Sequence, residues 1–254
     1  INQAVTSISI AAGIGSGVGI SQADLDALGI KGVTNLAAVQ DAIASTASDG
    51  TGVDTPAEVQ ALVDATNAVL AGAAGAADTP TVADLDLLGI TGVDATNITT
   101  AQAIIAASLD DGSDVDTQAE LQGLLDTGLA AAALGLTTIS AYDGTNDVPT
   151  VADYDAAGVT GVTDPANLAA VNNAVAVLDS DATDTTGEVQ AIVDAVDAVA
   201  DAAANGTAGV PTLAQLDALG ITGITDANLP AVQAAIAATG DATLVAGALS
   251  QPSH

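Results

Sequence analysis

The 254-residue sequence contains no cysteine, methionine, tryptophan or phenylalanine. Lysine and arginine together number one, Lys31, and the one histidine is His254. These absences remove most of the groups that reaction chemistry uses: a thiol nucleophile, an imidazole base inside the chain, and cations that stabilise developing negative charge. Hydroxyls and carboxylates remain, and a carboxylate pair serves glycosidases. Carbohydrate sites also draw on aromatic platforms, for which Tyr142 and Tyr154 are a meagre supply. The expectation is a protein that is not an enzyme. With one Lys and no Arg, nucleic acid is excluded as a partner, because phosphate contacts need several such cations. An anionic membrane surface is excluded on the same ground. The missing cysteine rules out disulfide staples.

What is present is acid and small apolar side chains. The formal net charge is −31, yet 49% of residues are hydrophobic. The two kinds are interleaved, which predicts a folded chain with an acidic surface rather than a disordered one. Such a surface repels itself at low ionic strength. Near half-molar salt the Debye length is about 3–4 Å, and most of that repulsion is screened. The expected setting is extracellular, in salt or with divalent cations. Residues 1–23 carry no charged side chain but include Asn2, Gln3, several serines and glycines at 13, 15, 17 and 19, so no membrane insertion is expected there. There is no starting Met and no basic n-region, as expected of a mature or excised piece.

Internal repetition is the dominant signal. Ser21–Val33, Thr81–Val93, Thr150–Val162 and Thr212–Ile224 align without gaps, as in TVADLDLLGITGV. Their shared glycines are Gly29, Gly89, Gly158 and Gly220, at spacings of 60, 69 and 62 residues. A second block follows three of them: Val53–Val63, Val115–Leu125 and Thr183–Val193. Each copy predicts three helices. The first starts at Ser21, Thr81, Thr150 or Thr212 with an Asp or Gln three residues on, and stops at the shared glycine in a Schellman ending. The second begins near Asn35, Asn97, Asn167 and Asn228, with stripes such as Leu36, Val39 and Ile43. The third opens with Thr55-x-x-Glu58, Thr117-x-x-Glu120 or Thr185-x-x-Glu188, which hold all three glutamates of the chain.

The expected fold is therefore all-α, a tandem array of three-helix modules of roughly 60–70 residues packed end to end. The boundaries are a partial module at 1–19, modules at 20–79, 80–148 and 149–210, and a partial fourth at 211–254. The alternative is α+β modules with short strands at the GITGVT segments.

The pattern PTVADL-x-LGITGV, followed by NLAAVN-x-AV and DT-x-x-EVQA, resembles repeats of very large bacterial surface and biofilm adhesins. It covers nearly the whole chain. A thinner likeness, carried by LGIKGV and by TPAEVQALVDA at residues 55–65, is to the three-helix albumin-binding modules of bacterial surface proteins. These resemblances imply a cell-surface location and a helical spacer architecture, and no particular ligand.

Two site expectations follow. The loops before the third helices are acidic: Asp49 and Asp54; Asp110, Asp111, Asp114 and Asp116; Asp179, Asp181 and Asp184. Calcium takes six to eight oxygen ligands, and the second of these loops is the best supplied candidate. Asp also favours turns and helix N-termini on its own account, and no loop has the EF-hand order. No other cofactor is expected. The second expectation is assembly. Ile1, Ala4, Val5 and Ile8 match Ile192, Ala195, Val196 and Val199 of a third helix, whereas the fourth copy offers Leu229, Val232 and Ile236 with no Thr-x-x-Glu block after them. One chain's first residues would then complete the next chain's last module, head to tail. The neighbours are otherwise further modules of a longer chain.

Overall fold

The computed structural model describes residues 19–46, 52–76, 79–108, 114–205 and 211–239. Among these residues the chain is all-α, with eleven α-helices, one short 3-10 turn (Ser180–Ala182) and no strand. The first copy contains α1 (Gln22–Ala27), α2 (Leu36–Ala44) and α3 (Pro56–Ala73). The second contains α4 (Val82–Leu87), α5 (Ile98–Ala106) and α6 (Gln118–Ser140). The third contains α7 (Val151–Ala156), α8 (Pro165–Val175) and α9 (Thr186–Asn205), and the fourth α10 (Leu213–Ala218) and α11 (Leu229–Ala237).

The short helices start and stop as their residues dictate. Ser21, Thr81 and Thr212 accept from the backbone N–H three residues on, and Asp24, Asp84 and Gln215 return the bond to the cap's own N–H. At the other end Ile30, Ile90, Val159 and Ile221 donate to the carbonyls of Leu25, Leu85, Tyr154 and Leu216 at 2.9–3.1 Å. That is the long bond of a Schellman ending, and it occurs in all four copies.

The GITGVT segments do not form strands, which overturns the mixed α+β alternative. Each carries two left-handed glycines three residues apart, for example Gly89 at φ 74° and Gly92 at φ 82°. Positive φ at both ends of so short a stretch prevents an extended run. The second helices begin less uniformly than expected. Asn35 caps α2 through Ala38, but α8 starts a turn early, at Asp164 with Pro165 behind it. Asn97 and Asn228 make no cap bond; their side chains instead bridge the preceding turn, donating to the carbonyls of Gly92 and Gly223.

The described chain forms two compact units that divide at Leu129–Ala130, inside α6 and not at a boundary of sequence repetition. In the first unit α3 packs against α2 of its own copy and against α4 and α5 of the next. In the second unit α9 does the same with α8, α10 and α11. Two apolar faces make this possible. On α9, Val189, Ile192, Val193 and Val196 form one buried face, and Ala195, Ala198 and Ala202 form another, roughly 130° around the axis at 100° per residue. The second face is built of small residues, so backbones approach closely. On α3 its counterpart is Gly72, where an added Cβ would lie 3.3 Å from Pro80 and 3.4 Å from Ile105 of the next copy.

The third copy differs from the others at its centre. Where Leu25, Leu85 and Leu216 sit fully buried, it has Tyr154, whose hydroxyl donates to Asn172 Oδ1 at 2.7 Å. Asn172 in turn donates to the carbonyl of Pro149. In the other copies this carbonyl position, at Ile20, Pro80 and Pro211, is met by a glutamine: Gln40, Gln102 and Gln233. The shorter Asn172 and the larger Tyr154 are thus one paired change. Tyr154 therefore contributes a hydrogen bond as well as packing. Burial raises the Tyr154 phenol far above its ordinary value, so it stays a donor. Tyr154→Phe strands a buried acceptor and is expected to cost about 1–3 kcal/mol in urea unfolding. The double change Tyr154→Leu with Asn172→Gln, which restores the pairing of the other copies, is expected to recover most of that loss.

Candidate functional site

The most regular polar feature is a glutamine on each long helix. Gln60 Oε1 accepts from the backbone N–H of Lys31 at 2.9 Å, and its Nε2 donates to the Lys31 carbonyl at 3.0 Å. Gln122 holds Thr91 in the same way at 2.8 and 3.1 Å, and Gln190 holds Thr160 at 2.8 and 3.1 Å. Each side-chain amide therefore serves the loop as a neighbouring strand would, pairing both main-chain groups of one residue. The second amide hydrogen goes to an aspartate one turn on, at Asp64, Asp126 or Asp194, which fixes the amide's orientation. Sequence reasoning missed this role. Its signal was present: Glu-x-Gln-x-x-x-Asp recurs in all three third helices. The clamp also explains Lys31, whose backbone, not its ammonium, is engaged.

The acidic ends of the long helices are arranged for capping. Thr55 donates through its N–H and hydroxyl to Glu58, and Glu58 N–H returns to Thr55 Oγ1 at 3.3 Å. Thr117 with Glu120, and Thr185 with Glu188, repeat the box. The aspartate before each cap and the capping glutamate shift each other's proton affinity in opposite directions. The hydrogen bond and charge of Glu58 push the Asp54 carboxyl up, and the same bond, with those from Thr55, holds Glu58 down. Asp184 is raised in the same way by Glu188. For Asp116 burial is the larger cause, followed by Glu120 and by the charge of Asp41. Asp41 itself crosses from the first copy to accept from Gln118 N–H, at the start of α6, at 2.7 Å.

Of the expected calcium ligands, Asp110 and Asp111 lie outside the described residues, as does Asp49. Asp114 is exposed and Asp116 half-buried. Among the described residues no three Asp, Glu or His side chains are grouped to hold a metal ion. Where Asp41 and Asp116 meet α6 there is a cavity of about 20 Å³, lined also by Ala38, Thr66, Val69 and Leu121. It has room for about one water. The expected assembly residues Ile1, Ala4, Val5 and Ile8 also lie outside the described residues. Leu229, Val232 and Ile236 lie together on α11, each half-buried. One described helix, α6, is long and apolar enough by length and composition to cross a membrane. Its Leu121, Leu125 and Ile139 are buried within protein cores, and Leu134 is 67% exposed.

No family model, curated protein or solved structure matches this chain.

Two outcomes test the site's physics. Gln190→Ala removes both hydrogen bonds to the Thr160 backbone and the one to Asp194, and is expected to cost roughly 1–2 kcal/mol by urea unfolding, with the helices otherwise retained. The carboxyls shifted by folding set the pH response. An aspartate whose folded value is raised takes up its proton before the unfolded chain does, so stability grows as pH falls towards the carboxylate range. The lowered carboxyls, Glu58, Glu120 and Glu188 together with Asp24, Asp94 and Asp143, lose their contribution as pH falls through their folded values. Melting temperature is therefore expected to rise from pH 7 to about 5 and to fall below about pH 4. The triple variant Asp54→Asn, Asp116→Asn, Asp184→Asn is expected to show a smaller rise.

Proposed function

We propose that this chain is a non-enzymatic structural repeat protein: a stalk, spacer or filament-forming segment of an extracellular bacterial surface appendage or adhesin. In this reading its copies are three-helix modules of 60–70 residues, each packed on the next. The observation that carries it is the double use of the long helices. α3 and α9 each bury one face against their own copy and another against the following copy. A helix placed like that couples neighbours, and stability becomes a sum over copies and the contacts between them. The reading also draws support from the charge of −31, which suits a surface bathed in salt, and from the resemblance to adhesin repeats. Head-to-tail joining of chains through the first and last copies, and calcium in the acidic loops, belong to the same proposal.

Negative-stain imaging and light scattering at moderate salt, with and without calcium, test it. Elongated particles are expected, either rods of monomer mass or filaments whose axial repeat matches one chain. Compact globular particles under every condition would sink the reading.

A further inference from the structure

The second helices of the first, third and fourth copies carry matching apolar residues in register, yet their surroundings differ. In α2, Val39 and Ile43 are fully buried and Ala38 and Ala42 nearly so. In α8, Val171, Val175 and Ala174 are at most 1% exposed and Ala170 is 6% exposed. Their counterparts on α11 are Val232 and Ile236, half-buried, and Ala231 and Ala235, exposed. The difference lies in what is packed there: α2 lies on α3 and α8 lies on α9, each the long helix of its own copy. Among the described residues α11 has a long helix on one side only, α9 of the preceding copy.

A second observation is polar and independent of burial. In the first three copies the residue just before the second left-handed glycine has both main-chain groups taken by Gln60, Gln122 or Gln190. In the fourth copy that residue is Thr222, between Gly220 and Gly223 at φ 70° and 81°. Among the described residues no glutamine reaches it: Gln215 faces Thr212 and Asp194, and Gln233 donates to Pro211. An apolar stripe and an unclaimed pair of backbone groups thus stand in the same relation to each other as in the covered copies.

We propose that this face of α10 and α11 is a docking surface for one kind of partner, an amphipathic helix of the α3 and α9 type. That partner begins Asp-Thr-x-x-Glu, carries its Gln two residues after the Glu to pair with Thr222, and lays Val and Ile over Val232 and Ile236. The specificity comes from the pairing of one amide with one loop residue at a set height along the helix, which a merely apolar helix does not satisfy. The inference rests on the structural reading proposed above and names the surface through which one copy would receive the next helix.

The test is calorimetric titration of the 254-residue chain with a synthetic peptide of residues 184–205 in about half-molar salt. Saturable binding of one peptide per chain is expected. A peptide with Gln190→Ala is expected to bind about tenfold more weakly, from the loss of two hydrogen bonds. A chain carrying Ala231→Asp and Ala235→Asp is expected not to bind; both positions are exposed, so folding is spared. Absence of saturable binding overturns the proposal, as does binding indifferent to both changes. Light scattering of the chain alone separates this outcome from the wider reading. Peptide binding by a chain that stays monomeric upholds the docking surface and removes end-to-end polymerisation. Polymers that the peptide neither binds nor disrupts do the reverse.

Discussion

A helix with two apolar faces cannot bury both inside one copy of a sixty-residue repeat. α3 and α9 are such helices, and everything regular about the packing follows from that constraint. One face, of Val, Leu and Ile, meets the second helix of its own copy; the other, of Ala and Gly, meets the copy that follows. Burial of a Val, Leu or Ile is worth about 1.5–3 kcal/mol, whereas alanine contributes much less. The small-residue face therefore works by closeness rather than bulk. Gly72, against Pro80 and Ile105, leaves little room for even a methyl group.

A core without phenylalanine, tryptophan or methionine has few large pieces to lock its helices in register. Hydrogen bonds take over that task. The glutamine clamps tie each loop to a given turn of a long helix, and the amides of Gln40, Gln102, Asn172 and Gln233 meet the carbonyl just before each short helix. Buried or half-buried polar groups of this kind add modest net stability but penalise every arrangement in which they go unpaired. The third copy shows how tightly the two kinds of packing are joined, since exchanging Leu for Tyr at 154 goes with exchanging Gln for Asn at 172.

The acidic surface is managed locally. Aspartates accept from backbone N–H groups at caps and turns, and at the head of each long helix an Asp precedes the capping Glu by four residues. The Asp rises and the Glu falls, so the Glu stays the charged acceptor where helix N–H groups are most in need of one.

The all-helical character, the four short helices with their caps and Schellman endings, and the three Thr-x-x-Glu starts were legible in the residues themselves. Each is written in contacts three to six positions apart, which a linear reading captures. The start of α8 was misplaced because Asp164-Pro165 competes with Asn167 for the cap, and both are good local signals. The acidic loop at Asp114 and Asp116 is a candidate cation site because Asp serves calcium, turns and helix ends alike; which of these roles a given carboxyl fills depends on distances a sequence does not contain. Ala195, Ala198 and Ala202 form a second buried face on α9 that the helix-start signals do not reveal. Only the tertiary structure decided what Gln60, Gln122 and Gln190 hold, why Tyr154 accompanies Asn172, and that α3 and α9 serve two copies at once. Those partners lie about twenty to thirty-five residues apart along the chain, and pairing over such a span is set by which surfaces pack together, not by local preference.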